Sequence, residues 1–259
     1  MELHPPEFAA QLQERLLRGE HLTLFGPRGS GKSTLLTQLH SRLIGAQVPC
    51  AYAAVTSSLD DITRALERAY PGVLTARIAR RAARSRLWVA ADRRSGVLLL
   101  DHFSSVSNAM VCFLKRLHGR IAGVLTCVDS DDPRERARMR RPARYGAMFV
   151  RMPVTSTRQL HRLLDSRTGD LGMPPLAADV EHKLLEAARG RPGWIVKCAE
   201  LACESRYWCE HGLLVSALCV DTEAAVRYLA LDMLRPPAAI LARADGEPSA
   251  AGHSLTEEV

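Results

Sequence analysis

The chain has 259 residues, 47% of them apolar and 24% charged. This composition excludes a collagen-like, a disulfide-framework and a wholly disordered protein, and the length suffices for one large domain or a domain with a smaller satellite. Lys+Arg total 35 and Asp+Glu 28, a formal charge of +7 that suits a polyanionic partner, although a codon bias toward Arg and Ala would give the same balance.

In chain order, MELHPPEF has neither a basic n-region nor an apolar run, and no stretch reaches ~18 apolar residues. Neither a signal peptide nor a membrane span is expected. Leu22 to Phe25 is a short apolar run ending at a glycine, and Ser33 to Leu43 carries Leu35, Leu36, Leu39 and Leu43 at helical spacing. Val48 to Val55 reads as a second strand. Ser58-Leu59-Asp60-Asp61 caps a helix through Leu66 and Tyr70. Residues 75–92 read as a basic helix. Gly96 to Asp101 is a continuous apolar run closed by an acid, as in a strand buried on both faces. Asn108 to His118 reads as helix, Ile121 to Val128 as strand, Arg134 to Arg144 as a polar basic stretch, and Met148 to Val154 as a fifth strand.

This alternation predicts an α/β fold: a three-layer αβα parallel sheet over residues 1–154. After Pro153 the strand signals stop. Thr157 to Leu164, Ala177 to Ala188, Trp194 to Tyr207 and Thr222 to Leu234 read as helices, a small all-helical domain over 155–234. The Pro, Ala, Gly and Ser of 235–259 read as a disordered tail. The 7 cysteines form no CxxC pair and mostly sit in apolar segments, which predicts reduced, buried thiols and a cytoplasmic protein.

Gly26-Pro27-Arg28-Gly29-Ser30-Gly31-Lys32-Ser33-Thr34 matches G-x-x-x-x-G-K-[ST] between a strand and a helix, the context this phosphate loop requires. Its glycines let successive N–H groups curl inward into an anion site, and the helix N-terminus adds unpaired N–H groups and a positive dipole end. Lys32 is placed to reach β- and γ-phosphate oxygens of ATP, and the Ser33 hydroxyl to ligate Mg²⁺. Asp101, at the end of a buried strand, is the second Mg²⁺ acid, acting partly through water. His102 follows it where many such ATPases carry a Glu. Imidazole is a weaker, pH-dependent base. No [NT]-K-x-D guanine-reading motif and no LSGGQ-like signature occurs.

Together these features resemble the AAA+ ATPases over about residues 5–234, nearest the origin-recognition, transposition-regulator and secretion-ATPase branch. The loop is similar to that family's GPPGTGKT, and Leu98-Leu99-Leu100-Asp101 to its Mg²⁺ strand. Val124-Leu125-Thr126-Cys127-Val128-Asp129 falls at the sensor-1 strand, so the resemblance makes Thr126 and Asp129 sensor-1 candidates. Arg140-Arg141-Pro142-Ala143-Arg144-Tyr145 resembles the arginine-finger segment, with Arg144 as the finger. Gly190-Arg191-Pro192-Gly193 lies where the lid carries G-x-P-R, the sensor-2 motif. Gly193 stands in place of the arginine there, leaving Arg191 and Lys197 as substitutes. The resemblance implies ATP and Mg²⁺ as ligands and a homo-oligomer or a protein partner. It also implies DNA contact through Arg77, Arg80, Arg81 and Arg84, which share one helical face. A solvated arginine face reads equally well from the residues alone.

His102 and Gly193 point to a slow nucleotide switch or loader rather than a fast motor. A small-molecule phosphotransferase using the same loop is the alternative. If the arginine face meets DNA, changing Arg77, Arg80, Arg81 and Arg84 to Gln flattens the log–log salt slope of duplex binding by ~0.9 per lost phosphate contact. Fluorescence anisotropy at graded salt reads this, and a slope equal to wild type would remove these arginines from the interface.

Overall fold

Val97 to Leu100 is apolar at every position because both faces of its strand are covered. Val97 and Leu99 pack into one core with Leu35, Leu36, Leu39 and Leu43, while Leu98 and Leu100 pack into another with Ile62, Leu66, Met110 and Leu114. This is seen in a computed structural model that describes residues 5–71, 86, 89–91, 95–103, 107–117, 119–129, 146–210 and 212–232.

Five parallel strands form the sheet: β1 (His21–Gly26), β2 (Cys50–Ala53), β3 (Val97–Leu100), β4 (Gly123–Asp129) and β5 (Met148–Arg151), in the order β2-β3-β4-β1-β5. Helices α1 (Pro6–Leu17) and α2 (Lys32–Gly45) cover one face, and α3 (Leu59–Ala69) and α4 (Asn108–Leu117) the other. The fold is the expected αβα parallel sheet of a P-loop protein, followed by helices.

Local chemistry explains the element ends. Ser58 caps α3 reciprocally: its hydroxyl accepts from the Asp61 N–H, and the Asp61 carboxylate accepts from the Ser58 N–H at 2.8 Å. α1 is absent from the expectations above, although its signal is present. Pro6 stands at the first helical position, and Ala9, Leu12 and Leu16 fall on one buried face.

Beyond the sheet run α5 (Thr157–Asp170), α6 (Ala178–Ala188), α7 (Pro192–Ala202) and α8 (Val215–Asp232). Their core includes Leu160, Leu164, Leu184, Trp194, Ile195, Tyr207 and Leu218, with no residue of the sheet. This part is not wholly helical. The helix expected through Tyr207 stops at Ala202, and β6 (Trp208–Cys209) pairs antiparallel with β7 (Gly212–Leu213). Side chains fix that reversal: the Trp208 indole donates to the Ala202 carbonyl and the Tyr207 hydroxyl to Asp221, each at 2.7 Å. α8 starts at Val215, earlier than the expected Thr222. No helix among the described residues is long and apolar enough to cross a membrane. The expected tail, 235–259, and most of the expected helix 75–92 lie outside the described residues.

The end of α1 rests directly on β4 at Gly123, where an added Cβ would stand 2.5 Å from the Leu16 carbonyl oxygen and 2.8 Å from that of Glu20. Gly123→Ala is expected to cost ~1–3 kcal/mol by overpacking. Gly45→Ala, at the end of α2 with nothing within 4 Å of the new methyl, should instead stabilise by ~0.4–1 kcal/mol. Denaturant titration of both variants checks the pair, and a neutral Gly123→Ala would contradict the α1–β4 contact.

Candidate functional site

The parallel sheet gathers its C-terminal strand ends on one side, and the phosphate loop leaves β1 there. Gly26 is the last residue of β1 and is paired with Asp129, the last of β4. The Ser30 N–H closes a turn onto the Pro27 carbonyl at 3.2 Å. Gly29 and Gly31 take φ of +78° and +89°, angles that bend the loop and that side chains resist. Gly31 then caps α2, which has no side-chain cap and no acid in its first turn. The N–H groups of Lys32, Ser33 and Thr34 therefore open an anion site with a positive dipole end, and Ser33 and Thr34 are exposed beside it. This donor set fits a polyphosphate.

Charge converges on one carboxylate. Lys32 is 7% exposed, and its ammonium donates to the carbonyls of Gly26 at 2.9 Å and Pro27 at 2.8 Å and meets Asp129 Oδ1 at 2.8 Å. Ser30 Oγ stands 3.4 Å away. Arg28 Nε donates to Asp129 Oδ2 at 3.0 Å. Burial raises the Asp129 pKa, but the charge and hydrogen bond of Lys32, then Arg28 and His102, outweigh it and hold the carboxyl below its ordinary value.

Asp101 follows β3 and is buried, its N–H donating to the Ala53 carbonyl at 2.9 Å. Its Oδ1 accepts from the His102 N–H at 2.9 Å. A buried carboxylate with one oxygen so fixed suits a metal shell completed by water. His102 has φ of +44°, a sparsely populated angle for a side-chain-bearing residue, and is half-buried. Tyr52 of β2 lies near Asp101. Burial first, then the Asp101 charge, push its hydroxyl up. The sequence did not single out Tyr52, because no local motif joins it to Asp101.

The two sensor-1 candidates separate. Asp129 stands at the loop, whereas the Thr126 hydroxyl is buried within the sheet, 2.9 Å from that of Thr23 on the paired strand. Neighbouring Cys127 is buried, which pushes its thiol well above its ordinary value and makes it unreactive.

Both lid cations named from the sequence have partners within the lid. The Arg191 guanidinium grips Glu223 at 2.8 and 3.3 Å and donates to the Ala187 and Ala188 carbonyls. Lys197 is held at 3.0 Å by Glu200 on its own helix. Gly193 is a seat rather than a vacant position. Its N–H donates to the Gly29 carbonyl at 2.8 Å, and an added Cβ would lie 3.0 Å from Gly29 Cα. Arg28 also donates through Nη1 to the Arg227 carbonyl of α8, so loop and lid touch twice. Arg77, Arg80, Arg81, Arg84 and Arg144 lie outside the described residues.

Residues 16–127 match the model of an AAA domain family. No curated protein matches the sequence. Among solved structures, the chain is similar to Cdc6p from Pyrobaculum aerophilum, with 18% identity and a TM-score of 0.55, covering 78% of this chain and 62% of that one. It is similar to Orc1 from Aeropyrum pernix, solved in complex with DNA, with 17% identity and a TM-score of 0.53, over 94% and 72% of the two chains. A Walker-type ATPase of Pyrococcus abyssi gives 15% identity and a TM-score of 0.54, over 94% and 77%.

The Arg191–Glu223 pair generates a prediction. Its hydrogen bond, first, and the Arg191 charge hold Glu223 below its ordinary value of about 4.5. That contribution to stability is complete above this value and is lost as pH falls through the lowered native one. Arg191→Met should cost ~1–2 kcal/mol at neutral pH, the difference from wild type shrinking in acid, with ATP affinity changed less than tenfold. Thermal melts from pH 3 to 7 with calorimetric titration measure both, and a large affinity loss without a stability loss would return Arg191 to the nucleotide.

Proposed function

We propose that the chain, whose residues 16–127 match an AAA domain family, is an AAA+ P-loop ATPase working as a slow, assembly-dependent nucleotide switch acting on DNA or a protein partner. The observation that carries this is the meeting of Lys32, the N-terminus of α2 and Asp101 at one end of the sheet. Lys32 and the loop N–H groups bind the phosphates. Ser33 and Asp101 hold Mg²⁺, Asp101 partly through water. ATP so held supplies a phosphoryl group for transfer to water and Mg²⁺ neutralises its charge.

Slowness follows from this chain's own residues. A Glu beside Asp101 would polarise water with a full negative charge, whereas an imidazole at His102 supplies no negative charge. General-base assistance is worth ~10²–10⁴ in rate, so intrinsic turnover falls well below ~1 s⁻¹. Arg191 and Lys197 are bound to Glu223 and Glu200, so neither is supplied to the γ-phosphate. Arg144, offered by a neighbouring copy, restores a cation in trans and makes activity depend on assembly. Contact with DNA through Arg77, Arg80, Arg81 and Arg84 is supported by the basic face in the sequence and by the likeness to Orc1, solved on DNA. The chain spans 62% of Cdc6p, whose activities therefore do not transfer as a whole.

Calorimetric titration of ATP with and without Mg²⁺ tests the site. Lys32→Ala should weaken ATP by tenfold or more, because charge-assisted contacts are worth ~1.5–3 kcal/mol each. Asp101→Asn should stay within about tenfold of wild type but lose the Mg²⁺ dependence. Lys32→Ala within twofold of wild type would remove the loop from the nucleotide site.

A further inference from the structure

We propose that Asp129 is an internal anion that holds the phosphate-binding cations until a nucleotide displaces it, and that Arg28 carries this displacement to the lid. The inference rests on the reading of the loop as a nucleotide site and goes beyond it.

An ammonium has three donors. Those of Lys32 are turned to the Gly26 carbonyl, the Pro27 carbonyl and Asp129 Oδ1, at 2.9, 2.8 and 2.8 Å, with Ser30 Oγ a longer fourth acceptor at 3.4 Å. A phosphate oxygen can reach Nζ only if one partner leaves. The two carbonyls belong to the loop itself and stay with it. The carboxylate repels an arriving phosphate, so it is the partner released. Asp129 is well placed for the part, because its position at the end of β4 beside Gly26 is set by sheet register and not by any ligand.

The second half of the device is Arg28. Its Nε bonds the other oxygen of Asp129, and its Nη1 bonds the Arg227 carbonyl on α8. One carboxylate thus ties the phosphate lysine to the side chain that anchors the lid. Arg227 pairs with Glu223 at 3.2 Å, and Glu223 with Arg191 at 2.8 Å, so the tie continues into the base of α7. When Lys32 turns to phosphate, Asp129 loses one cation and faces new negative charge, and the anchor of Arg28 shifts with it. His102, Cys127 and Asp101 are further titratable neighbours in this cluster.

Binding of Mg·ATP to wild type, Asp129→Asn, Asp129→Ser and Lys32→Ala, measured by calorimetry, tests the proposal. Removal of the competing charge should tighten ATP about tenfold in both Asp129 variants, and Lys32→Ala should lose binding. In the nucleotide-free state, hydrogen exchange over residues 190–196 and 223–227 should be faster in the Asp129 variants, because Arg28 has lost its anchor. A wild-type readout stands beside these: the Asp129 carboxyl ¹³C resonance should move as ATP saturates the protein. If wild type and Lys32→Ala bind ATP alike, the nucleotide reading itself fails. If Lys32→Ala loses ATP while the Asp129 variants bind no tighter than wild type, the site stands and the internal anion is refuted. Should both variants fail to fold, an unmoved Asp129 resonance at saturating ATP refutes it, and a shifted one supports it.

Discussion

A buried ammonium must be paired, and the contact between Lys32 and Asp129 meets that need by joining the first turn of α2 to the end of β4. Other parts of the site are arranged around this pair. Gly29 and Gly31 let the loop curl so that Nζ can turn back onto the Gly26 and Pro27 carbonyls. Arg28 shares the carboxylate from the other side, and His102 stands close by. Four charged or titratable side chains are thus held at the mouth of an anion site, in a sheet whose interior is otherwise almost wholly apolar. The concentrated charge gives this end of the sheet its binding chemistry.

The lid is seated on the loop by the backbone bond of Gly193 to Gly29 and by Arg28 of the loop, and not by a cationic side chain of its own. At Gly193 the sequence suggests a lost arginine, yet an added Cβ would stand 3.0 Å from Gly29 Cα, so that a side chain there would press on the loop. The lid's own buried cation, Arg191, is consumed by Glu223 and two helix-end carbonyls, an arrangement that fixes the junction of α6, α7 and α8. Lid and loop thus meet directly, and the side chain best placed to register a ligand in the loop is Arg28, bonded to both sides.

Much of this was legible in the residues, in proportion to how local the signal is. The loop is a contiguous motif with a mechanism attached, and the five strands announce themselves as short apolar runs, the widest discrepancy being the trimming of Val48–Val55 to Cys50–Ala53. Strand order was not legible, since nothing local says that β4 lies between β1 and β3. α1 escaped because its periodic residues follow a proline-rich start. The partners of Lys32 and Arg191 escaped for a different reason. Asp129 and Glu223 are remote in sequence and are brought in by sheet register and by the packing of α8 on α7. The contact of Thr126 was equally hidden: its place in the strand drew attention to the nucleotide, and only the register of β4 on β1 shows its hydroxyl beside that of Thr23.

The most direct measurement is an experimental structure of the protein with Mg²⁺ and a non-hydrolysable ATP analogue. The account predicts the triphosphate cradled by residues 29–34, Lys32 Nζ within hydrogen-bond distance of its oxygens, and the Asp129 carboxylate no longer in contact with Nζ. A nucleotide bound elsewhere, or one bound in the loop with the 2.8 Å contact between Lys32 and Asp129 intact, would contradict it.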